Sequence, residues 1–193
     1  MQKPIFEDDT VLKEELLNLL ITFAYREGDF TLSSGQKSTY YINGKVVTLH
    51  PRGALIIGQL LLNLLPTGTD AIAGLTLGAD PIVSAVSIVS ALGDAPIPGI
   101  IIRKEAKGHG TQAFLEGPVL EAGSKVVVVE DVVTTGQSAM KAIERLRSAG
   151  YEANLVLALV DRQQGGAEYY AQQGIEFNSL FTIQDLQNHS KGS

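Results

Sequence analysis

The chain has 193 residues and a formal net charge of −6, from 15 Lys and Arg against 21 Asp and Glu, with 45% hydrophobic and 19% charged residues. This balance belongs to an ordinary globular protein with a sizeable core. It excludes an intrinsically disordered chain and a protein whose main task is to coat nucleic acid, so any anionic ligand has to be met by a local basic patch. Because there is no cysteine, neither a disulfide framework nor a thiolate metal site is available.

The opening MQKPIFEDDTVLKEELLNLL lacks the basic, apolar, small-residue order of a signal peptide. The longest apolar-looking stretch, Pro81 to Gly93, is bounded by Asp80 and Asp94, and as a helix it spans only about 20 Å of the roughly 30 Å needed to cross a bilayer. These features predict a soluble cytoplasmic protein that engages neither membrane nor nucleic acid.

In chain order, Thr10 is the expected N-cap of an amphipathic helix reaching about Tyr25, with Leu12, Leu16, Leu19, Leu20 and Phe23 at helical spacing. From Gly28 the stretch FTLSSGQKSTYYING reads as a strand, a turn around Ser34 and Gly35, and a second strand. A helix follows Pro51, carrying Leu55, Gly58, Leu61, Leu62 and Leu65 before the stop at Pro66.

Beyond it, short apolar runs alternate with helical stretches: Ala71 to Leu75, Ile82 to Leu92, Gly99 to Ile102, Lys125 to Val129, Ser138 to Ala149 and Ala153 to Val160. Such alternation predicts an α/β fold with a parallel sheet, and runs without a polar alternate belong to strands covered by helices on both faces. In the helix after Val129, Ala139, Ile143 and Leu146 face inward, Lys141, Glu144 and Arg147 outward, and Gly150 takes the C-cap position. The final NHSKGS reads as a frayed tail. Residues 1–193 show no dividing linker and no repeat, so one domain is expected.

The segment richest in chemistry is VVVVEDVVTTGQSA, Val126 to Ala139. A buried strand ends in two acids, and a short loop with Thr134, Thr135, Gly136 and Ser138 opens a helix. In an open parallel sheet, ligands sit beyond the C-terminal strand ends. The loop's free N–H groups, its hydroxyls and the positive end of the helix dipole make a seat for a phosphate monoester, and Gly136 lets the backbone approach it closely. Glu130 and Asp131 repel that phosphate but accept hydrogen bonds from the hydroxyls of an attached sugar. Phosphate on one side and acids on the other describe a ribose 5-phosphate site. No Gly-Lys-Ser/Thr follows, and there is no GxGxxG, so neither the P-loop nor the dinucleotide fingerprint applies.

A second segment, IIRKEAKGHGT from Ile101 to Thr111, gathers Arg103, Lys104, Lys107 and His109 within seven residues of an acidic chain. Cations gathered at a departing anion stabilise the transition state more than the ground state.

Val126 to Ala139 resembles the phosphoribosyl pyrophosphate (PRPP) binding motif of type I phosphoribosyltransferases. RKEAKGHG resembles the flexible catalytic loop of orotate phosphoribosyltransferases, FTLSSGQKSTYYING their N-terminal signature, and DRQQGG, Asp161 to Gly166, their strand-end Asp-Arg-Gln stretch. The resemblance runs from about Phe30 to Asp185 with these motifs in order. It implies a type I phosphoribosyltransferase-like parallel sheet flanked by helices, with a small N-terminal hood and a flexible active-site loop. It also implies a homodimer in which part of that loop reaches the neighbouring subunit's site.

By resemblance, Glu130, Asp131, Val132, Val133, Thr134, Thr135, Gly136, Gln137 and Ser138 match the PRPP motif, with Glu130 where the family often has Asp. Arg103, Lys104, Lys107 and His109 match the residues around pyrophosphate. Thr134 and Arg162 match those that touch orotate, and Tyr40 and Tyr41 fall where aromatic residues lie beside its ring. The implied activity is transfer of the 5-phosphoribosyl group from PRPP to orotate in pyrimidine nucleotide synthesis, with Lys104, Lys107, His109 and Asp131 as the catalytic residues. Mg²⁺ is the implied cofactor, held mainly by substrate oxygens and water, so no residue is assigned as a metal ligand.

Two positions depart from the family pattern: Ser33 and Gly78 stand where many or some members carry a lysine. The GLTLGADP form of the second stretch implies a tight backbone loop at Leu77 and Gly78 that offers N–H groups to pyrophosphate. Two alternatives use the same residues. One is a phosphoribosyltransferase for another base, against which stands Arg162, suited to a base that carries an anion. The other is a PRPP-binding regulator, which calls for a nucleic-acid surface or an appended helix-turn-helix that a chain of this charge lacks.

Overall fold

The computed structural model describes residues 8–31, 37–107 and 114–192. Helix α1, Asp9–Leu19, runs into a wider π turn, Leu20–Ala24. The N-cap is Asp8 rather than Thr10: the Asp8 carboxylate accepts a 2.8 Å bond from the Thr10 N–H, which places Thr10 inside the first turn. Leu12, Leu16, Leu20 and Ala24 are buried at steps of four. In an α-helix each such step drifts about 40° around the axis, and the wide last turn offsets part of that drift. Phe23 is left half exposed, stacked on His50 with centroids 5.7 Å apart. Tyr25 opens a strand instead of closing the helix: β1, Tyr25–Thr31, pairs antiparallel with β2, Lys37–Ile42. The expected turn at Ser34 and Gly35, with Ser33, lies outside the described residues.

A short helix not foreseen from the sequence, α2, Lys45–Thr48, leads to α3, Pro51–Leu64. Pro51 occupies the first turn of α3, where a missing N–H costs nothing, and the His50 ring accepts from the Gly53 N–H. The buried face of α3 is Ile56, Ile57, Leu60 and Leu61, with Leu55, Leu62 and Leu65 only partly covered.

The central sheet comprises β3, Ala71–Leu75, β4, Gly99–Ile102, β5, Leu115–Glu116, β6, Val126–Val133, β7, Leu155–Asp161, and β8, Glu176–Thr182. Their order across the sheet is β5-β4-β3-β6-β7-β8, all parallel except the β4/β5 pair. Helices α4, Asp80–Ser90, α5, Gln137–Ser148, α6, Gly166–Gln172, and α7, Ile183–Gly192, complete the fold.

Two cores cover the sheet. Val127 and Val129 of β6 join residues of α1, α3, α4 and α7 on one face, while Val126 and Val128 join α5 and α6 on the other. This alternation on a strand with no polar residue before Glu130 is the signature of a strand buried on both faces. Leu16, Leu20, Tyr25 and Tyr40 belong to the first core, so the N-terminal hood is built on the sheet domain. The NHSKGS end is not a frayed tail as far as it is described. Its first residues belong to α7, which buries Leu186 completely and brings His189 to 2.7 Å from Asn18 on α1. No described helix is long and apolar enough to cross a membrane.

Candidate active site

The chain leaves β3 toward β4 through α4 and leaves β6 in the opposite direction, toward β7, through α5. The boundary between β3 and β6 is therefore a topological switch point, and the crevice beyond their C-terminal ends is where an open α/β sheet binds ligands.

Strand β6 runs to Val133, so Glu130 and Asp131 sit within the strand rather than after it, each only 8% exposed. The loop of residues 134–136 then turns into α5 at Gly136, whose φ of +80° is left-handed. A Cβ there would come within 2.9 Å of the buried Tyr170 ring, so both backbone sign and space require glycine. No side chain caps α5. Its first N–H groups and dipole are left to a ligand in the pocket lined by Glu130, residues 132–138 and Tyr170.

The two acids face different surroundings. Glu130 lines the phosphate-loop pocket, with Oε2 buried and without a hydrogen-bond partner among the described residues. Burial, and then the neighbouring charge of Asp131, push its carboxyl up to about 8, while Lys104 and Lys45 pull the other way. Asp131 Oδ1 accepts from the Val132 N–H at 2.9 Å, and Oδ2 lies 3.7 Å from Lys45 Nζ. The loop after β3, whose Thr76–Leu77 peptide is cis, lies directly against Asp131: a Cβ on Gly78 would come within 2.6 Å of Asp131 Oδ1. The departure at Gly78 thus has a physical reason, because the Asp131 carboxylate occupies the space that a side chain there would need. Thr76 Oγ1 donates to Asp80 Oδ2 at 2.7 Å and ties the loop to α4.

A second cluster is built from β2 and the end of β7. Arg162 Nε donates to the Tyr40 hydroxyl at 3.2 Å, its guanidinium carbon lies 4.9 Å from the Tyr40 ring centroid, and Gln164 Nε2 reaches the same hydroxyl at 3.4 Å. Arg162 Nη2 is buried with no partner among the described residues. Tyr40 and Tyr41 separate, as neighbours on a strand must: Tyr40 is buried against Arg162, whereas Tyr41 is half exposed and packs on Phe30 at 5.6 Å. The Arg162 N–H donates to the Val133 carbonyl at 2.9 Å, which fixes it beside Thr134.

The basic segment is only partly at the crevice. Lys104 acts electrostatically on Glu130. Arg103 and Lys107 instead converge on Glu116 Oε1 of β5, at 3.1 and 3.5 Å, and hold its carboxyl below the usual range. His109 lies outside the described residues.

The family model for the phosphoribosyl transferase domain matches residues 47–184. The orotate phosphoribosyltransferase of Nostoc sp. is 66% identical, over 95% of this chain and 89% of that protein. The chain belongs to the orotate phosphoribosyltransferase family. A solved structure of the Mycobacterium tuberculosis orotate phosphoribosyltransferase in complex with Fe(III) dicitrate matches with a TM-score of 0.80 at 36% identity, over 91% of this chain and 98% of that one. Another, in complex with PRPP, matches with a TM-score of 0.75 at 32% identity, over 91% and 99%.

Three features of the candidate site in this orotate phosphoribosyltransferase family member were not legible in the sequence. Lys45, next to the family's YYIN stretch, places an ammonium beside Asp131; its only sequence signal is a lone cation after a predicted strand. Tyr170 underlies the loop of residues 134–136 from α6, a short helix without a motif of its own. Glu116, an acid in an apparently plain stretch, partners two of the loop cations.

Proposed function

We infer that the chain transfers the 5-phosphoribosyl group of PRPP to N1 of orotate, releasing pyrophosphate and giving orotidine 5′-monophosphate for de novo pyrimidine (UMP) biosynthesis. The observation that carries the choice of base is Arg162, a guanidinium with Nη2 buried and unpartnered among the described residues. A buried donor without an acceptor is costly, and orotate differs from uracil by a carboxylate that supplies one.

In this reading the loop of residues 134–138 holds the 5′-phosphate, with Val132 and Val133 shaping the strand beneath it. Glu130 and Asp131 address the ribose hydroxyls, and Tyr40, Thr134 and Arg162 orient orotate. As the bond from C1 to the pyrophosphate oxygen breaks, positive charge grows on the ribose ring and negative charge on the leaving group. Asp131 stabilises the first. Arg103, Lys104, Lys107 and His109 stabilise the second, with His109 a candidate proton donor to the leaving group. Arg103 and Lys107 must leave Glu116 to do so.

Mg²⁺ fits this donor set. The two acids within β6 offer oxygen only, and Glu130 Oε2 is buried without a partner among the described residues. Bound through PRPP oxygens and water, with Glu130 and Asp131 beside it, it would neutralise charge on the pyrophosphate.

Residues 1–193 are proposed to act as one phosphoribosyltransferase domain, supported by the shared core of hood and sheet. The protein is proposed to work as a cytoplasmic homodimer with the active-site loop shared between subunits. A cytoplasmic setting suits a cysteine-free enzyme acting on small charged substrates.

The test is the loss of orotate's ultraviolet absorbance when the purified protein meets PRPP and Mg²⁺, with uracil and a purine base as parallel acceptors. Consumption of orotate alone is expected. Turnover of another base in its place, or of none, overturns the reading.

A further inference from the structure

We propose that Arg145 of α5 is a positioning residue for the pyrophosphate-side cations Arg103 and Lys104, and that α5 thereby sets the distance between the two ends of the PRPP site. This rests on the functional reading above.

Arg145 is half-buried in the last turn of α5 and reaches across to the end of β4. Its Nη1 donates to the Arg103 carbonyl and its Nη2 to the Lys104 carbonyl, the latter at 2.9 Å. The guanidinium carbon also sits 4.1 Å from the centroid of the Phe114 ring. Phe114 is itself bound to the same place, because its carbonyl accepts from the Arg103 N–H at 2.8 Å. One planar cation therefore fixes two successive carbonyls and lies over the residue paired with the first of them. A fork of donors does this and a single ammonium does not.

The position of Arg145 on α5 gives the contact its consequence. The N-terminus of α5 forms the phosphate seat, and Arg145 lies eight residues beyond Gln137 on the same helix, a rise of about 12 Å. The seat for the 5′-phosphate and the backbone carrying Arg103 and Lys104 are thus referred to one rigid element. A cation at a helix C-terminus also favours the dipole, but Arg147 supplies that as well. Arg147 lies in the same turn and directs its guanidinium to Asn154 at 2.6 Å.

The experiment compares Arg145→Ala, Arg145→Lys, Phe114→Leu and Arg147→Ala in steady-state kinetics, with pyrophosphate product inhibition measured alongside thermal unfolding. Arg145→Ala is expected to raise KM for PRPP and weaken pyrophosphate inhibition, each by about tenfold, with KM for orotate within about twofold. Arg145→Lys should recover part of the loss, Phe114→Leu should show a smaller change of the same kind, and Arg147→Ala should show none. Equal effects on both substrates, or the same kinetics from Arg147→Ala, would reduce Arg145 to a helix-stabilising charge. Should Arg145→Ala fail to fold, Phe114→Leu and Arg145→Lys still decide: unchanged PRPP kinetics in both overturns the proposal. Absence of turnover in the wild type would instead strike the functional reading. Pyrophosphate binding by calorimetry would then test the clamp on its own, through the wild type against Arg145→Lys.

Discussion

Arg162 and Tyr40, 122 residues apart, are joined by a 3.2 Å hydrogen bond from Nε to the phenol oxygen, with the guanidinium carbon 4.9 Å from the ring centroid. The phenol holds one edge of the guanidinium and leaves Nη2 without a partner among the described residues, in the place proposed for the orotate carboxylate. Arg162→Ala should therefore raise KM for orotate by about a hundredfold with a smaller change in KM for PRPP, and Tyr40→Phe should raise it only a few-fold. Initial rates with each substrate varied in turn decide this; a loss shared equally by PRPP would remove Arg162 from the base site.

Glu130 makes the free protein's stability depend on pH. Its carboxyl is raised from 4.5 to about 8 in the fold, so between those values the folded state holds a proton that the unfolded chain releases. Its contribution is most favourable below about pH 4.5, declines as pH rises, and reaches its floor above about 8. Glu130→Gln keeps the neutral form throughout. Ligand-free melts should show the variant matching the wild type near pH 5 and exceeding it near pH 9 by a few kcal/mol. A constant gap across that range would contradict the assignment.

Lys107 is held by Glu116 in this conformation at 3.5 Å, and Arg103 at 3.1 Å. Lys107→Ala should lower kcat by about a hundredfold while changing the Kd for PRPP by no more than about threefold, since its charge matters most as the pyrophosphate departs. Glu116→Gln frees both cations and should lower KM for PRPP about twofold at low salt, an advantage that fades as ionic strength rises. Single-turnover rates and equilibrium PRPP binding separate the two effects; unchanged turnover in Lys107→Ala would take this loop out of the mechanism.

Lys45 stands 3.7 Å from Asp131 with its side chain 44% exposed, a modest pair in energy but placed beside the proposed ribose acids. Lys45→Met should lower kcat/KM for PRPP about tenfold and leave KM for orotate nearly unchanged. Measurement of both constants checks it, and a variant with wild-type PRPP kinetics would leave Lys45 as a surface charge.

The sequence by itself determined what is local. The phosphate loop is a contiguous strand, loop and helix, its glycine and hydroxyls set by backbone geometry over a few residues. The alternating apolar runs determined the parallel sheet in the same way. Only the tertiary structure decided that β6 extends through Glu130 and Asp131, because β3 pairs with it only as far as Val128 while β7 continues the pairing to Val133. Helix α7 holds its place through Leu186 in the first core and His189 against Asn18, contacts the tail's composition could not reveal. Tyr40 and Tyr41 face opposite ways as successive strand residues, and packing decided that Tyr40 is the one that meets Arg162. Gly78 lies against Asp131, and Arg145 reaches the Arg103 and Lys104 carbonyls, only because separate elements meet at the switch point. Such pairings depend on register and packing between distant segments, which no pattern within one segment encodes.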